Sequence, residues 1–421
     1  MKKVTFAVLG MGSRGAVYSG KQLQFPEEME VVAIADIDPN RLTAANKYLQ
    51  IPEDRLFHSA EALFAQPKLA DIMMITTQDA QHKDHAIRAM ELGYDLLLEK
   101  PISNKLTDVV EIANTAKRLG RTVIVCHVLR YTPFYREVKR LLDEGVVGKI
   151  QSVEAAEWVG HLHFAHSYCR GNWHKTADSS PMILAKCSHD MDIIYWLTGA
   201  SCEKINSFGR LTHYRKESAP EGAAERCCDC KLSCPWNAQN FYLPRIPRWP
   251  TNIIHPEPTV ETITEALKTS NYGRCIYHMD NDVVDHQTVN MELSGGITAT
   301  FQMNGFAIAD MRTLHIVGTE GEMMGNFRTH ELWYQRFGEE RVNVPAQVLG
   351  TETKGHGGGD SGLIRDVLHY YLGSEFDSSA ITFIDRSVES HFMAFAAEES
   401  RVAGGQLVNM ADFKKQIGVQ E

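Results

Sequence analysis

The run Gly10-Met11-Gly12-Ser13-Arg14-Gly15, set between an apolar stretch at 5–9 and an amphipathic one, restricts the fold more than any other feature of this chain. Glycine first permits a tight turn, second lets backbone approach a pyrophosphate, and third lets the following helix pack on the strand. The helix N-terminus then faces the anion, with Ser13 and Arg14 at its start. Such a unit belongs to a parallel α/β sheet. Apolar runs at 5–9, 31–35, 72–75, 96–99 and 123–126, separated mostly by helical patterns, supply the other strands. Right-handed crossovers then give a doubly wound Rossmann sheet. Asp36 ends the second run, where a carboxylate accepts from adenosine ribose hydroxyls and repels a 2′-phosphate, so NAD is expected over NADP. Arg41 lies near enough to leave dual use open.

At 421 residues the chain is longer than one core usually sustains, and two domains are expected. Residues 1–127 form the NAD-binding Rossmann domain. Residues 128–421 form an α+β domain for substrate binding and oligomerisation. Within it, 134–144 reads as an amphipathic helix, and 152–158, 283–293, 298–303 and 313–317 read as strands of a largely antiparallel sheet. A helix over 182–197 carries the densest polar chemistry, residues 214–272 read as an irregular insertion, and Gly355 to Gly362 as a short glycine-rich loop. A formal charge of -10 without long one-sign blocks speaks against nucleic-acid or anionic-membrane partners, which reward basic surfaces. No stretch approaches the roughly 18 apolar residues of a membrane span, and the opening apolar run is too short for a signal peptide. A cytoplasmic location and a small-molecule partner follow as expectations.

Leu98-Glu99-Lys100-Pro101 follows the fourth main strand, after the turn Thr76-Thr77-Gln78-Asp79 with His82 and His85, and Ser188-His189-Asp190-Met191-Asp192 lies on the second-domain helix. With these motifs the chain resembles the Gfo/Idh/MocA family, the glucose-fructose oxidoreductase and inositol dehydrogenase group, over nearly its whole length. The resemblance implies a second domain built on a large open sheet, pairing through that sheet as homodimer or homotetramer, and a carbohydrate or polyol substrate. It also implies cofactor contacts from Gly10, Gly12, Ser13, Arg14, Gly15, Asp36, Thr76, Thr77, His82, Glu99 and Lys100. Some members hydrolyse glycosides by transient oxidation, elimination and re-reduction, which remains an alternative activity. A non-catalytic NAD-binding regulator is a further one.

Oxidising a secondary alcohol needs a base for the hydroxyl proton and positive charge near the developing alkoxide. Lys100, at a strand's C-terminal edge, and His189, which aligns with the family's general base, suit those tasks, with Asp190 or Asp192 able to orient the imidazole. Many members carry aspartate four residues before that histidine. Here Ala185 stands there and Lys186 follows, so either Lys186 adds a second cation or an acid arrives from elsewhere. Residues 160–173 concentrate aromatics and hydrogen-bonding groups suited to a polyol: His163, His166, Arg170 and Trp173 are candidate substrate ligands, with Asp192. A competing reading makes His163, His166 and His189 metal ligands. His286, on a probable strand, either reaches the pocket or is structural. Of nine cysteines, Cys227, Cys230 and Cys234 have C-x2-C-x3-C spacing, and with Cys275 they could close a structural zinc site or hold an iron-sulfur cluster. Free thiols are the alternative.

Overall fold

A computed structural model of the chain describes residues 2–350 and 356–419. Six parallel strands form the first sheet: β1 (Val4–Leu9), β2 (Met29–Ala35), β3 (Leu56–Phe57), β4 (Ile72–Ile75), β5 (Asp95–Leu98) and β6 (Val123–Val125), in the order β3-β2-β1-β4-β5-β6. The order reverses on either side of β1, which places a crevice at the C-terminal ends of β1 and β4. β4 is buried at all four residues, as a strand covered on both faces must be. β3 escaped the sequence reading because two residues show no periodicity.

The second sheet has nine strands: β7 (Ile150–Gly160), β8 (Cys202–Arg210), β9 (His286–Leu293), β10 (Ile297–Ala307), β11 (Met311–Gly318), β12 (Gly321–Asn326), β13 (Glu331–Arg336), β14 (Val342–Asn343) and β15 (Val408–Asn409). Most neighbours are antiparallel, while β10 and β7 pair in parallel. Strict alternation along β9, with every second residue buried, shows one covered face and one open face. Helices Ser188–Thr198 and Ile384–Val402 lie on the covered face. Trp158, Thr288, Gln302, Thr313, His315 and Trp333 line the open one.

Three segments differ from the sequence reading. Residues 182–197 are two helices, Met182–Ala185 and Ser188–Thr198, broken at Lys186 and Cys187. The insertion is partly helical, with Ala238–Tyr242, Thr251–Ile254 and Val260–Thr269 closing a small core of Phe241, Tyr242, Ile263 and Leu267. The glycine-rich stretch becomes the helix Gly359–Leu372 after a short turn, Gly355 lying outside the described residues. That helix returns the chain to the first sheet, where Leu363, Ile364, Val367 and Leu368 join a core with Phe6, Val8 and Ile124.

Candidate active site

Gly10 leaves β1 with φ +96°, and a Cβ on it would stand 2.8 Å from the Thr76 carbonyl oxygen. A Cβ on Gly15 would stand 2.0 Å from the Gly10 oxygen, so the glycines are required by close approach of backbone to backbone. Thr76 closes this arrangement by donating its hydroxyl to the Gly10 oxygen at 2.6 Å. Asp36 is fixed by the backbone N–H groups of Met11, at 2.6 Å, and Asp38, at 2.8 Å. Arg41 lies 3.7 Å from the Asp36 carboxylate, so its charge is shared with an acid. This glycine-rich loop, followed by a carboxylate at the end of β2, fits the pyrophosphate and adenosine ribose of a dinucleotide. His82 braces the next turn: Nδ1 is 2.8 Å from the Pro101 oxygen and Nε2 3.1 Å from the Thr77 oxygen. The Thr77 hydroxyl in turn lies 3.0 Å from His85 Nδ1.

Glu99 organises the end of β5. Its buried carboxylate accepts from Arg14 Nε at 2.8 Å, the Tyr18 hydroxyl at 2.8 Å and the Lys100 N–H at 2.6 Å. Burial would raise its pKa, but Arg14 and Lys100 outweigh burial and hold it below the ordinary carboxylate value. Lys100 is thereby aimed across the cleft, and its Nζ donates to the Ala185 carbonyl at 2.7 Å. In an unbroken helix that carbonyl would accept from residue 189. The break at Lys186 and Cys187 releases it, so the interruption absent from the sequence reading serves the site. Burial lowers the Lys100 pKa and Lys186 lowers it further, against the opposing pull of Glu99 and Asp79.

His189 is buried on the first turn of the second helix half, its ring 5.8 Å from His127 and 5.9 Å from His356 between centres. Burial, then Lys100 and the two neighbouring imidazoles, hold its pKa well below the ordinary histidine value. The ring is therefore neutral near pH 7 and able to take a proton. Neither nearby aspartate orients it. Asp192 is forked by Arg130, at 2.7 and 2.6 Å, and Asp190 accepts from Arg312 Nε at 2.8 Å. Positions one and three residues on from His189 serve these arginines, which approach from other elements. Lys186 turns inward, 3.4 Å from Glu157, and Arg312 stands 2.7 Å from the same buried carboxylate.

The 160–173 segment divides between cleft and scaffold. His163 pairs with Asp310 at 2.9 Å and meets Trp249 edge-on at 5.0 Å. Trp173 lies beside Tyr168. His166 instead faces the Tyr242 hydroxyl at 3.0 Å and stacks on Tyr272 within the insertion. Buried Arg170 donates to the Arg274 and Trp236 carbonyls, both at 2.8 Å, and lies 3.5 Å from Cys227 Sγ. His286 pairs with Asp285 beside it.

The metal expectations are corrected here. Among the described residues no group of three or more His, Cys, Asp or Glu side chains is arranged to hold a metal, whether Cys227, Cys230, Cys234 and Cys275 or His163, His166 and His189. All nine cysteines are free thiols. The bases of the insertion are held by other means: a backbone bridge joins Arg226 to Arg274, and the Arg170 guanidinium spans Trp236, Cys227 and Arg274.

Sequence reasoning missed His127, Glu157, Arg312, His356 and Asp360. The rule that singled out Lys100 would have found His127, since it too follows a parallel strand at its C-terminal end. Nothing in the sequence ties 356–360 to His189.

Residues 4–127 match the model described as oxidoreductase family, NAD-binding Rossmann fold, and residues 135–239 match the GFO/IDH/MocA C-terminal domain. YteT of Bacillus subtilis, an oxidoreductase by its name, is 24% identical over 400 residues, covering 89% of this chain and 90% of YteT. The scyllo-inositol 2-dehydrogenase (NAD(+)) of the same organism is 25% identical over half of this chain and 58% of that enzyme. Among solved structures, the WlbA dehydrogenase of Bordetella pertussis, in complex with NADH and UDP-GlcNAcA, superposes with a TM-score of 0.69 at 16% identity, over 97% of this chain and 98% of WlbA.

Proposed function

Because the chain belongs to the GFO/IDH/MocA family of NAD-binding oxidoreductases, we propose that it moves a hydride between nicotinamide and a secondary hydroxyl of a sugar, glycoside or cyclitol. The observation that carries this reading is the Lys100 ammonium, delivered to the Ala185 carbonyl at a helix break beside a neutral, buried His189. Bound NAD supplies the hydride acceptor. The chain supplies the rest. Gly10, Gly12, Ser13, Arg14 and Gly15 hold the pyrophosphate loop, Asp36 takes the ribose, and Thr76, Thr77, His82 and Glu99 keep the next turn and Lys100 in place. Lys100 donates a hydrogen bond to the reacting oxygen and stabilises its developing charge, while His189 accepts the hydroxyl proton. Lys186 adds positive potential from the side of Glu157, and His163 and Trp173 line the ring. His166, Arg170 and Asp192 serve the scaffold around them. The relation to a scyllo-inositol dehydrogenase favours a polyol as substrate. The open face of the second sheet offers the surface for a homodimer or homotetramer, and a cytoplasmic location suits such a reaction.

The test is NADH formation when the full chain and NAD meet free sugars, cyclitols and aryl glycosides, with aglycone release followed in parallel. Net NADH with one class supports the dehydrogenase; NAD-dependent aglycone release without net NADH replaces it with the redox glycosidase. Oxidation requires neutral His189, so a depressed pKa keeps the base form available through about pH 6.5, where an ordinary histidine protonates. Turnover is expected to stay flat across that value and to fall only at lower pH, whereas an acid limb centred near it would argue against His189 as the base. Asp36→Ala is expected to weaken NADH binding about 10- to 100-fold, read by fluorescence titration, because a charged acceptor for the ribose is lost. An unchanged affinity would remove Asp36 from the cofactor site.

A further inference from the structure

Beside His189 stands an imidazole that the reaction as written leaves idle. The ring centre of His356 lies 5.9 Å from that of His189, the planes inclined by 55°. Its Nδ1 is 3.3 Å from the Asp360 carboxylate, which also accepts from Arg14 Nη2 at 2.5 Å. Arg14 donates in turn to Glu99, the acid that accepts the Lys100 N–H. His356 is thus linked through Asp360, Arg14 and Glu99 to the backbone of the lysine aimed into the cleft. The turn that carries it is tightly seated: a Cβ on Gly359 would stand 2.3 Å from the Val128 carbonyl oxygen, which fixes the start of helix Gly359–Leu372 against the segment that follows β6. The His356 side chain is still 30% exposed, so the ring is held on one edge and open on the other.

Arg14 Nη1 also lies 3.5 Å from Nδ1, but the Asp360 carboxylate is nearer at 3.3 Å and favours the tautomer with the proton on that nitrogen, leaving Nε2 as an acceptor. The charged and titratable groups facing His356 are Asp360, Arg14, Lys186 and His189; burial and the cations lower its pKa while Asp360 raises it, with a net depression that keeps it neutral. Two neutral imidazoles at this separation can each reach one of two hydroxyl oxygens about 3 Å apart, the spacing of neighbouring hydroxyls on a ring.

We propose that His356, held by Asp360, is a second substrate-contacting imidazole of this site, hydrogen-bonding the hydroxyl next to the one His189 deprotonates. The substrate is then a vicinal diol. This rests on the dehydrogenase reading above. It adds a preference that reading lacks: compounds whose carbon beside the oxidised one bears a free hydroxyl are favoured over those without it.

The test uses the full chain labelled with 15N at histidine, with His356→Gln and Asp360→Asn variants. Signals absent from His356→Gln belong to His356. They are expected to report Nδ1 protonated and Nε2 free near neutral pH, and to lose that state in Asp360→Asn; a ring protonated at Nε2 overturns the proposal. On a panel compound that the wild type oxidises, His356→Gln is expected to lose about 10- to 100-fold in kcat/KM with NADH affinity unchanged. That loss should vanish on the analogue lacking the adjacent hydroxyl, and an equal loss on both compounds overturns the contact. Normal turnover in His356→Gln is a failure of this proposal alone. A wild type that binds NADH but oxidises no panel compound is a failure of the dehydrogenase reading, and the proposal falls with it.

Discussion

Lys100→Met is expected to lower turnover by about 10²- to 10⁴-fold while leaving NADH binding nearly unchanged. The two outcomes separate because backbone and side chain of this residue do different jobs. Its N–H is held by Glu99, and that bond survives the substitution. Its ammonium reaches the Ala185 carbonyl and is the cation proposed to meet the reacting oxygen, and that charge is lost. Methionine retains comparable length and flexibility, so the cleft wall stays filled. Steady-state kinetics and NADH fluorescence on the same preparations read the two effects. A comparable loss of NADH affinity would mean that the substitution disturbed the Glu99 and Arg14 arrangement rather than the chemistry.

Arg130→Met carries the largest expected cost to stability, about 3 to 5 kcal/mol. Arg130 and Asp192 are both almost fully buried, and the guanidinium supplies two hydrogen bonds to the carboxylate. Removing it strands a charge inside the protein. Burial already raises the Asp192 pKa despite the opposing arginine, and loss of the arginine raises it further. A carboxylate whose folded pKa lies above its unfolded value contributes stability below the unfolded pKa, and this is lost as pH rises through the folded one. The deficit of Arg130→Met should therefore shrink toward acid pH, where Asp192 takes up a proton. Urea unfolding at several pH values measures it. Adding Asp192→Leu should recover much of the loss, and failure to recover would place the damage in packing against Trp196, over which the guanidinium lies.

The first domain was legible because buried parallel strands read as unbroken apolar runs, as at Ile72–Ile75, and because the glycine loop needs small residues at fixed places. The second sheet was half legible. β9 alternates cleanly, whereas β12 puts Gly321 and Gly325 at its buried positions and Met324 at an exposed one, and β13 shows no alternation in burial, so neither reads as a strand from hydrophobic period. The site divides in the same way. Lys100 and Asp36 sit at strand ends and could be found from local order. The helix break at Lys186 and Cys187 could not, since it is accompanied by a hydrogen bond from Lys100, 85 residues away. His356 reaches His189 across a still longer separation, and the glycines before Asp360 suggested only a loop. Arg170 looked like a sugar ligand by composition, but its buried donors go to the Trp236 carbonyl within the insertion and the Arg274 carbonyl just after it.

The most direct measurement follows deuterium. Cyclitols and sugars carrying deuterium on their carbinol carbons are incubated with the full chain and NAD, and the cofactor is recovered and weighed by mass spectrometry. Reduced cofactor heavier by one deuterium is expected with at least one substrate class, together with loss of that labelled product in both Lys100→Met and His189→Ala. Turnover of a substrate that leaves no deuterium in the cofactor at any time would contradict hydride transfer to nicotinamide, and with it the roles given to Lys100 and His189.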